Sequence, residues 1–296
     1  MAFNGLDVSQ WQGAINFDKV KAAGYDFIMI RAGYGRYANQ VDPYFYDNYR
    51  KAHAAGLDVG CYWYSYATTP AEAVEEARVC LNTIKGKRFE YPIFFDLEEK
   101  KQFNMGREVC SAIVTAFCET IEAAGYYAGL YISRSPLQNY ISQAVAERFA
   151  LWVAEYDMKL NYTAAPVGIW QNTSNYMVPG ISGNVDHDYA YIDYPTIIKT
   201  KGLNGYPKTS PNTLELTGYK KGDKNDGVYI YKKLLSVAYK KGIVTTTVDD
   251  NNVFGAGTEK ATNEVLKKLG NDPNGIAGPK LVKKLTDLIL KGDESK

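Results

Sequence analysis

Six short segments of this 296-residue chain are apolar almost without interruption, at 27–30, 59–64, 92–95, 128–132, 150–153 and 167–170, and helix-like stretches lie between most of them. A strand with one face in water alternates polar and apolar residues, whereas a strand covered on both faces has no such need. Apolar strands alternating with helices over residues 1–200 predict an α/β fold with a parallel sheet. The expected architecture is an irregular βα barrel of the TIM type, with an open doubly wound sheet as the alternative.

A recurring phrase marks the repeating unit. Ala22-Ala-Gly24, Ala54-Ala-Gly56 and Ala123-Ala-Gly125 are spaced 32 and 69 residues apart, close to one and two βα units. Each glycine stands where a helix end favours a left-handed residue, and each is followed by an apolar run. Thr69-Pro-Ala-Glu72 supplies an N-cap, a proline at the first helical position and a capping-box glutamate, followed by Val74, Ala77, Leu81 and Ile84 at helical spacing. Asp42-Pro43 opens a second helix that runs to Gly56. Val109, Ala112, Ile113, Ala116, Phe117 and Ile121 stripe a third.

Charge divides the chain. Residues 1–200 carry a net charge of −5, and residues 201–296 carry +6 with lysine as every one of their 17 bases. Between the two parts, residues 200–212 are rich in Gly, Pro, Ser and Asn, which reads as a linker. The predicted organisation is a barrel over 1–200, a linker over 201–213 and a helical domain over 214–296. Three apolar stripes give that domain three helices: Val228, Tyr231, Leu235 and Ala238; Ala261, Val265 and Leu269; and Leu281, Leu285, Leu288 and Ile289. The lysines argue for an anionic partner, and the lack of arginine there makes base-reading of nucleic acid unattractive, so no nucleic-acid partner is expected.

Other classes are disfavoured. No run of 18 apolar residues exists, so no membrane insertion is expected, and the start of the chain has neither a basic nor an apolar leader region. There are two histidines and four cysteines, none at zinc-like spacing, and no metal or cofactor is expected. Cys61, Cys80, Cys110 and Cys118 lie in apolar segments and are expected as buried free thiols.

In parallel α/β folds chemistry gathers at the C-terminal ends of strands. Those ends carry Asp7, the pair Asp96 and Glu98, Glu155 and Gln171, while Asn184-Val-Asp-His-Asp188 reads as the last turn into the barrel. Asp96 and Glu98 are two apart, so they share a face, with Cα atoms roughly 6–7 Å apart. Like charges that close resist joint ionisation, which suits one of them to donate a proton. Paired carboxylates among tyrosine and tryptophan suggest glycosidic bond cleavage. Rival readings are helix capping, cation binding and magnesium-assisted phosphotransfer; the last lacks a phosphate loop. A Cys61–His187 hydrolase would need an exposed thiol, and Cys61 sits mid-strand. Tyr62, Tyr64 and Tyr66 alternate and should share a face. Tyr44, Tyr46 and Tyr49 read as packing, and Arg31 as either a structural or a functional partner of a carboxylate.

Asp7-Val-Ser-Gln-Trp-Gln-Gly13, Gly60-Cys-Tyr-Trp-Tyr64, Phe95-Asp-Leu-Glu98, Leu151-Trp-Val-Ala-Glu-Tyr156, Ile169-Trp-Gln171 and Val185-Asp186 occur in this order, and the set resembles glycoside hydrolase family 25, the Chalaropsis-type muramidases of bacteria and phages. The resemblance covers residues 1–200. It implies hydrolysis of the β-1,4 bond between N-acetylmuramic acid and N-acetylglucosamine in bacterial peptidoglycan. Glu98 would be the proton donor, and Asp96 would orient the N-acetyl group or stabilise the transition state. Asp7 and Asp186 would be the remaining acids, and Tyr62, Tyr64, Tyr131, Trp152 and Gln171 would contact sugar. Trp63 and Tyr64 depart from the histidine and phenylalanine common in relatives. The family implies retention of configuration, with the substrate's own N-acetyl group as a candidate nucleophile.

Residues 214–296 resemble a small peptidoglycan-binding domain through Phe254-Gly255, Thr258 and Gly275-Ile-Ala-Gly-Pro279, although Val265-Leu266 departs from its Phe-Gln pattern. The implied partners are peptidoglycan and anionic wall polymers. The absence of a leader fits an endolysin held in the cytoplasm until lysis. The rival functions are a catalytically inactive wall-binding lectin and a chitinase-like glycosidase.

Overall fold

Eight strands close into one barrel in chain order: β1 (Phe3–Val8), β2 (Phe27–Tyr34), β3 (Asp58–Tyr64), β4 (Ile93–Asp96), β5 (Ala128–Ser133), β6 (Ala150–Ala154), β7 (Ile169–Tyr176) and β8 (Val185–Ala190). The computed structural model describes residues 2–207 and 218–291, and the chain divides into two units, Met1–Lys208 and Thr209–Lys296. Helices α1 (Phe17–Ala22), α2 (Phe45–Ala54), α3 (Pro70–Ile84), α4 (Lys100–Phe103), α5 (Gly106–Ala123), α6 (Arg134–Tyr140), α7 (Gln143–Arg148) and α8 (Tyr194–Lys201) belong to the first unit. The expected barrel is what forms, and the open doubly wound sheet is overturned by closure.

Strands β1 to β7 pair in parallel, each with the next, while β8 runs antiparallel to both β7 and β1. The reason is the connection. Residues 177–184 join β7 to β8 directly, and a parallel return needs a crossover of about a dozen residues or more. Asn184–Asp188, expected as a turn, is therefore mostly strand.

The apolar strands conceal a period of two. Phe27, Met29, Phe94, Tyr131 and Trp152 belong to a cluster inside the barrel, whereas Ile28, Ile30, Phe95, Leu97, Leu130, Ile132, Leu151 and Val153 belong to the layer beneath the helices. Both faces are buried, so both sets are apolar, and the alternation is of destination rather than polarity. Gly5 makes room for the Phe27 ring inside the barrel: a Cβ there would lie 2.1 Å from it.

The helix signals act as expected. Gly24, Gly56 and Gly125 have φ of +92°, +77° and +85°. The Thr69 hydroxyl accepts from the Glu72 amide at 3.3 Å. The reciprocal half of the capping box is displaced by one residue, because the Glu72 carboxylate accepts from the amide of Thr68 at 2.8 Å.

The far end of the barrel from the acids is closed by a segment assigned to the linker from sequence. Asn204 is fully buried at φ +54°, where its Oδ1 accepts from the Tyr127 amide at 2.6 Å and its Nδ2 donates to the Tyr91 carbonyl at 2.8 Å. Residues 202–207 thus belong with the barrel, and the start of the linker at 201 is corrected. The rest of that linker, 208–213, and the domain ends at 214–217 and 292–296 lie outside the described residues.

Among the described residues of the second unit, helices Asp226–Lys240, Ala256–Lys268 and Pro279–Lys291 pack Val228, Tyr231, Leu235, Ala238, Ala261, Val265, Leu281, Leu285 and Ile289 into one core with Phe254. Lys232 is a structural lysine: its buried ammonium donates to Asp249, Asn251 and the Val253 carbonyl at 2.7–3.0 Å. Among the described residues no helix is long and apolar enough to cross a membrane.

Asn204→Ala leaves two buried backbone groups without partners and a left-handed φ without its asparagine. It should lower the stability of the barrel by about 2–3 kcal/mol, read as a shifted denaturant midpoint at unchanged slope. A loss under about 0.5 kcal/mol would show that the clasp carries little.

Candidate active site

At the C-terminal ends of the parallel strands lies a cavity of about 300 Å³, lined by Asp7, Ser9, Trp11, Gln12, Arg31, Tyr62, Tyr64, Asp96, Glu98, Tyr131, Trp152, Tyr156, Gln171 and Asp186 among others. All nine residues expected from sequence line it: Asp7, Asp96, Glu98, Asp186, Tyr62, Tyr64, Tyr131, Trp152 and Gln171.

Strand order explains the convergence. Asp7 on β1 stands opposite Asp186 on β8 in the antiparallel ladder. Asp96 ends β4, on the other side of the eight-stranded ring. Leu97 continues the alternation into the outer core, so Glu98 returns to the cleft one step beyond the strand. Two carboxyl groups on one wall thus face Asp7 and Asp186 on the other.

Below the acids, Trp152 is the floor. Its ring packs edge-on against Tyr62, Phe94 and Tyr131, with centroids at 5.8, 5.4 and 4.5 Å. At 1% exposure it has little face to offer a sugar. Its Nε1 instead donates to Asp188 Oδ1 at 2.7 Å. Gln171 is equally buried and orients acids: its Nε2 donates to Asp7 Oδ2 at 2.8 Å, while its Oε1 accepts from the hydroxyls of Tyr131 and Tyr156, each at 3.0 Å. Two phenols on the carbonyl end fix which way the amide points. The Tyr131 hydroxyl also reaches Glu98. Tyr131 donates to Gln171 and Gln171 to Asp7, so one hydrogen-bonded chain links β5 to β1 across the floor of the cleft.

The acids are raised together, chiefly by burial. Asp7 is pushed well above the ordinary carboxylate range by burial, then by the charges of Asp188 and Asp186. Asp96 is pushed up by burial and by Glu98, with Arg31 opposing. Asp186 rises to about 6 through burial. Glu98 is open to cleft water on one side yet enclosed by protein on the others, and this desolvation raises it, with the Tyr131 hydrogen bond opposing. Asp96 Oδ1 is buried without a partner among the described residues, a state tolerable for a neutral carboxyl and costly for an anion.

Sequence reasoning passed over three residues here. Asp188 is fully buried, is pushed well above the ordinary carboxylate range by burial, and its charge in turn raises Asp7. The period-two argument that joined Asp96 to Glu98 also joins Asp186 to Asp188, and reading that segment as a turn hid it. Trp11 and Tyr156, 76% and 59% exposed, are the aromatic faces at the rim. Arg31 is held by Asp42, with Nε and Nη2 each 2.8 Å from Oδ2. Tyr66 lies beyond the end of β3 and outside this cavity.

Cys61 is buried with its thiol raised, and His187 Nδ1 meets Asn172 Oδ1 at 2.7 Å, so neither serves a Cys–His pair in the cleft. All four cysteines are free and buried, as expected. Among the described residues no three His, Cys, Asp or Glu side chains converge to hold a metal.

The family model for glycosyl hydrolases family 25 matches residues 6–181, from β1 into the β7–β8 hairpin. The chain belongs to glycosyl hydrolases family 25. It is 30% identical over 187 residues to the autolytic lysozyme of Clostridium acetobutylicum, a match over 62% of this chain and 54% of that one. The modular autolysin LytC of Streptococcus pneumoniae, solved with a synthetic peptidoglycan ligand, superposes with TM-score 0.58 at 26% identity, over 64% of this chain and 47% of its own. The chain thus spans about half the length of each. An endolysin whose activity is regulated by a secondary translation product superposes with TM-score 0.57 at 25% identity, over 67% of this chain and 70% of its own. The family match lies within the first unit, and residues 218–291 are described by their own packing alone.

The raised acids give the site a signature in stability. Asp186 titrates near 6 when folded against an ordinary 3.8. Its contribution to stability is therefore full below about pH 4 and lost as pH rises through 6. Asp186→Asn should be more stable than the wild type at pH 7.5 by about 1–3 kcal/mol, with the gap closing toward pH 4. A constant gap across that range, in denaturant melts, would mean Asp186 is not so perturbed.

Proposed function

We propose that this chain is an N-acetylmuramidase: it hydrolyses the β-1,4 bond between N-acetylmuramic acid and N-acetylglucosamine in bacterial peptidoglycan and lyses cell walls. The observation that carries the reading is the set of carboxyl groups across one aromatic cleft, with Glu98 raised yet open to water. Glu98 protonates the glycosidic oxygen, as a raised carboxyl at the mouth of a cleft is suited to do. Asp96, buried behind it, orients the substrate's N-acetyl group or stabilises the positive charge of the transition state. Asp7 and Asp186 hold the opposite wall, and Trp11, Tyr62, Tyr64 and Tyr156 offer rings to sugar. Tyr131, Trp152 and Gln171 act mainly by positioning acids. The second unit holds the enzyme to the wall through diffuse lysine charge, which suits anionic wall polymers.

Glu98→Gln removes the proton and keeps the shape. Release of reducing ends from purified walls should fall about 10²–10⁴-fold, while the variant still sediments with walls, less so as salt rises. Wild-type turnover in Glu98→Gln would reject it as the acid. Mass spectrometry of the products names the bond: new reducing ends at N-acetylmuramic acid are expected, and cleavage of chitin oligomers in preference to walls would favour a chitinase-like enzyme.

A further inference from the structure

A second cavity, about 380 Å³, adjoins the catalytic cleft on the same rim of the barrel and is used by nothing described above. It lies among the loops after β2 and β3, with α3 and α4 behind, and is within the size range of ligand sites, roughly 300–1,000 Å³. The two cavities meet at a pair of rings: Tyr64 lines the cleft, Tyr66 lines the second cavity, and their centroids are 5.3 Å apart.

The lining is chemically mixed. Tyr37 and Tyr66 are 59% and 39% exposed, so both present ring faces. Arg36 is neutralised by Glu72 at 2.7 Å. Lys101 is not: its ammonium sits 4.9 Å over the Tyr66 ring, and among the described residues no carboxylate forms an ion pair with it. Glu76 is 1% exposed, with Oε1 accepting from the Tyr66 amide at 2.8 Å and Oε2 without a partner among the described residues. Burial raises this carboxyl to about 7, so near neutrality a large share is protonated and can donate. An ammonium without an ion pair gains more from a carboxylate than from the hydroxyls of a neutral sugar, because charge-assisted hydrogen bonds are the stronger. A short peptide with a free carboxylate uses all three features: the ammonium, the buried acid as donor to an amide carbonyl, and the rings against its side chains.

We propose that this cavity binds the stem peptide of the glycan, the anionic peptide carried by the lactyl group of the muramic unit, with Lys101 receiving a carboxylate. The proposal rests on the hydrolase reading above, since that reading brings a peptide-bearing sugar to the neighbouring cleft.

Two measurements on the full chain test it. The first compares kcat/KM on peptide-bearing glycan and on the same glycan stripped of peptides. The wild type should prefer the peptide-bearing form, and Lys101→Glu should lower that ratio about fivefold, with Lys101→Arg restoring it. The second titrates a free synthetic stem tetrapeptide against the protein by NMR. Shifts at Tyr37 and Tyr66 are expected in the wild type and their loss in Lys101→Glu. This arm reads the cavity whether or not glycan is cut, so failure of the hydrolase reading is seen separately. An unchanged ratio in Lys101→Glu, or no binding of the peptide by the wild type, would overturn the proposal.

Discussion

The structure of this protein turns on keeping carboxyl groups at the end of an apolar barrel. Asp7, Asp96, Asp186 and Asp188 sit over a floor of Trp152, Phe94 and Met29, where an isolated charge is expensive. The chain meets that cost in three ways. Asp7 and Asp188 are raised by burial and by neighbouring charge, Asp96 is raised by burial beside Glu98, and the Trp152 indole and the Gln171 amide supply donors from the floor. Burial and like charges raise the acids, and the donated hydrogen bonds oppose that rise at Asp7 and Asp188. The barrel's need to bury its interior and the site's need for a protonated acid are met by the same residues.

Burial also divides the aromatic and amide residues of the cleft. Gln171, Tyr131 and Trp152 are sugar contacts by the family resemblance; all three are buried and bond or pack against the acids and one another, while Trp11 and Tyr156 expose their rings.

Much of the barrel was legible because its helices and buried strands carry local signals. The Ala-Ala-Gly phrases end in glycines of positive φ, and the apolar runs are strands covered on both faces. The acids were legible for the same reason: a polar residue closing an apolar strand has one place to go. What local pattern could not give was the sense of the last strand and the role of Asn204. The antiparallel direction of β8 follows from a short connection that resembles a turn, and reading it as one hid Asp188. Asn204 looks like linker by composition, yet it bonds to Tyr91 and Tyr127, far away in the chain. Long-range partners of a single side chain leave no periodicity to read.

The central claim is that the enclosure of the cleft raises the Glu98 carboxyl above the ordinary glutamate range. Carbon-13 NMR of the labelled carboxyl, titrated in the full chain with Glu98→Gln to assign the resonance, measures it directly. A midpoint clearly above the ordinary glutamate value of about 4.3 is the expected result. A midpoint at or below that value would contradict the account, because the enclosure described here would then not be raising the acid.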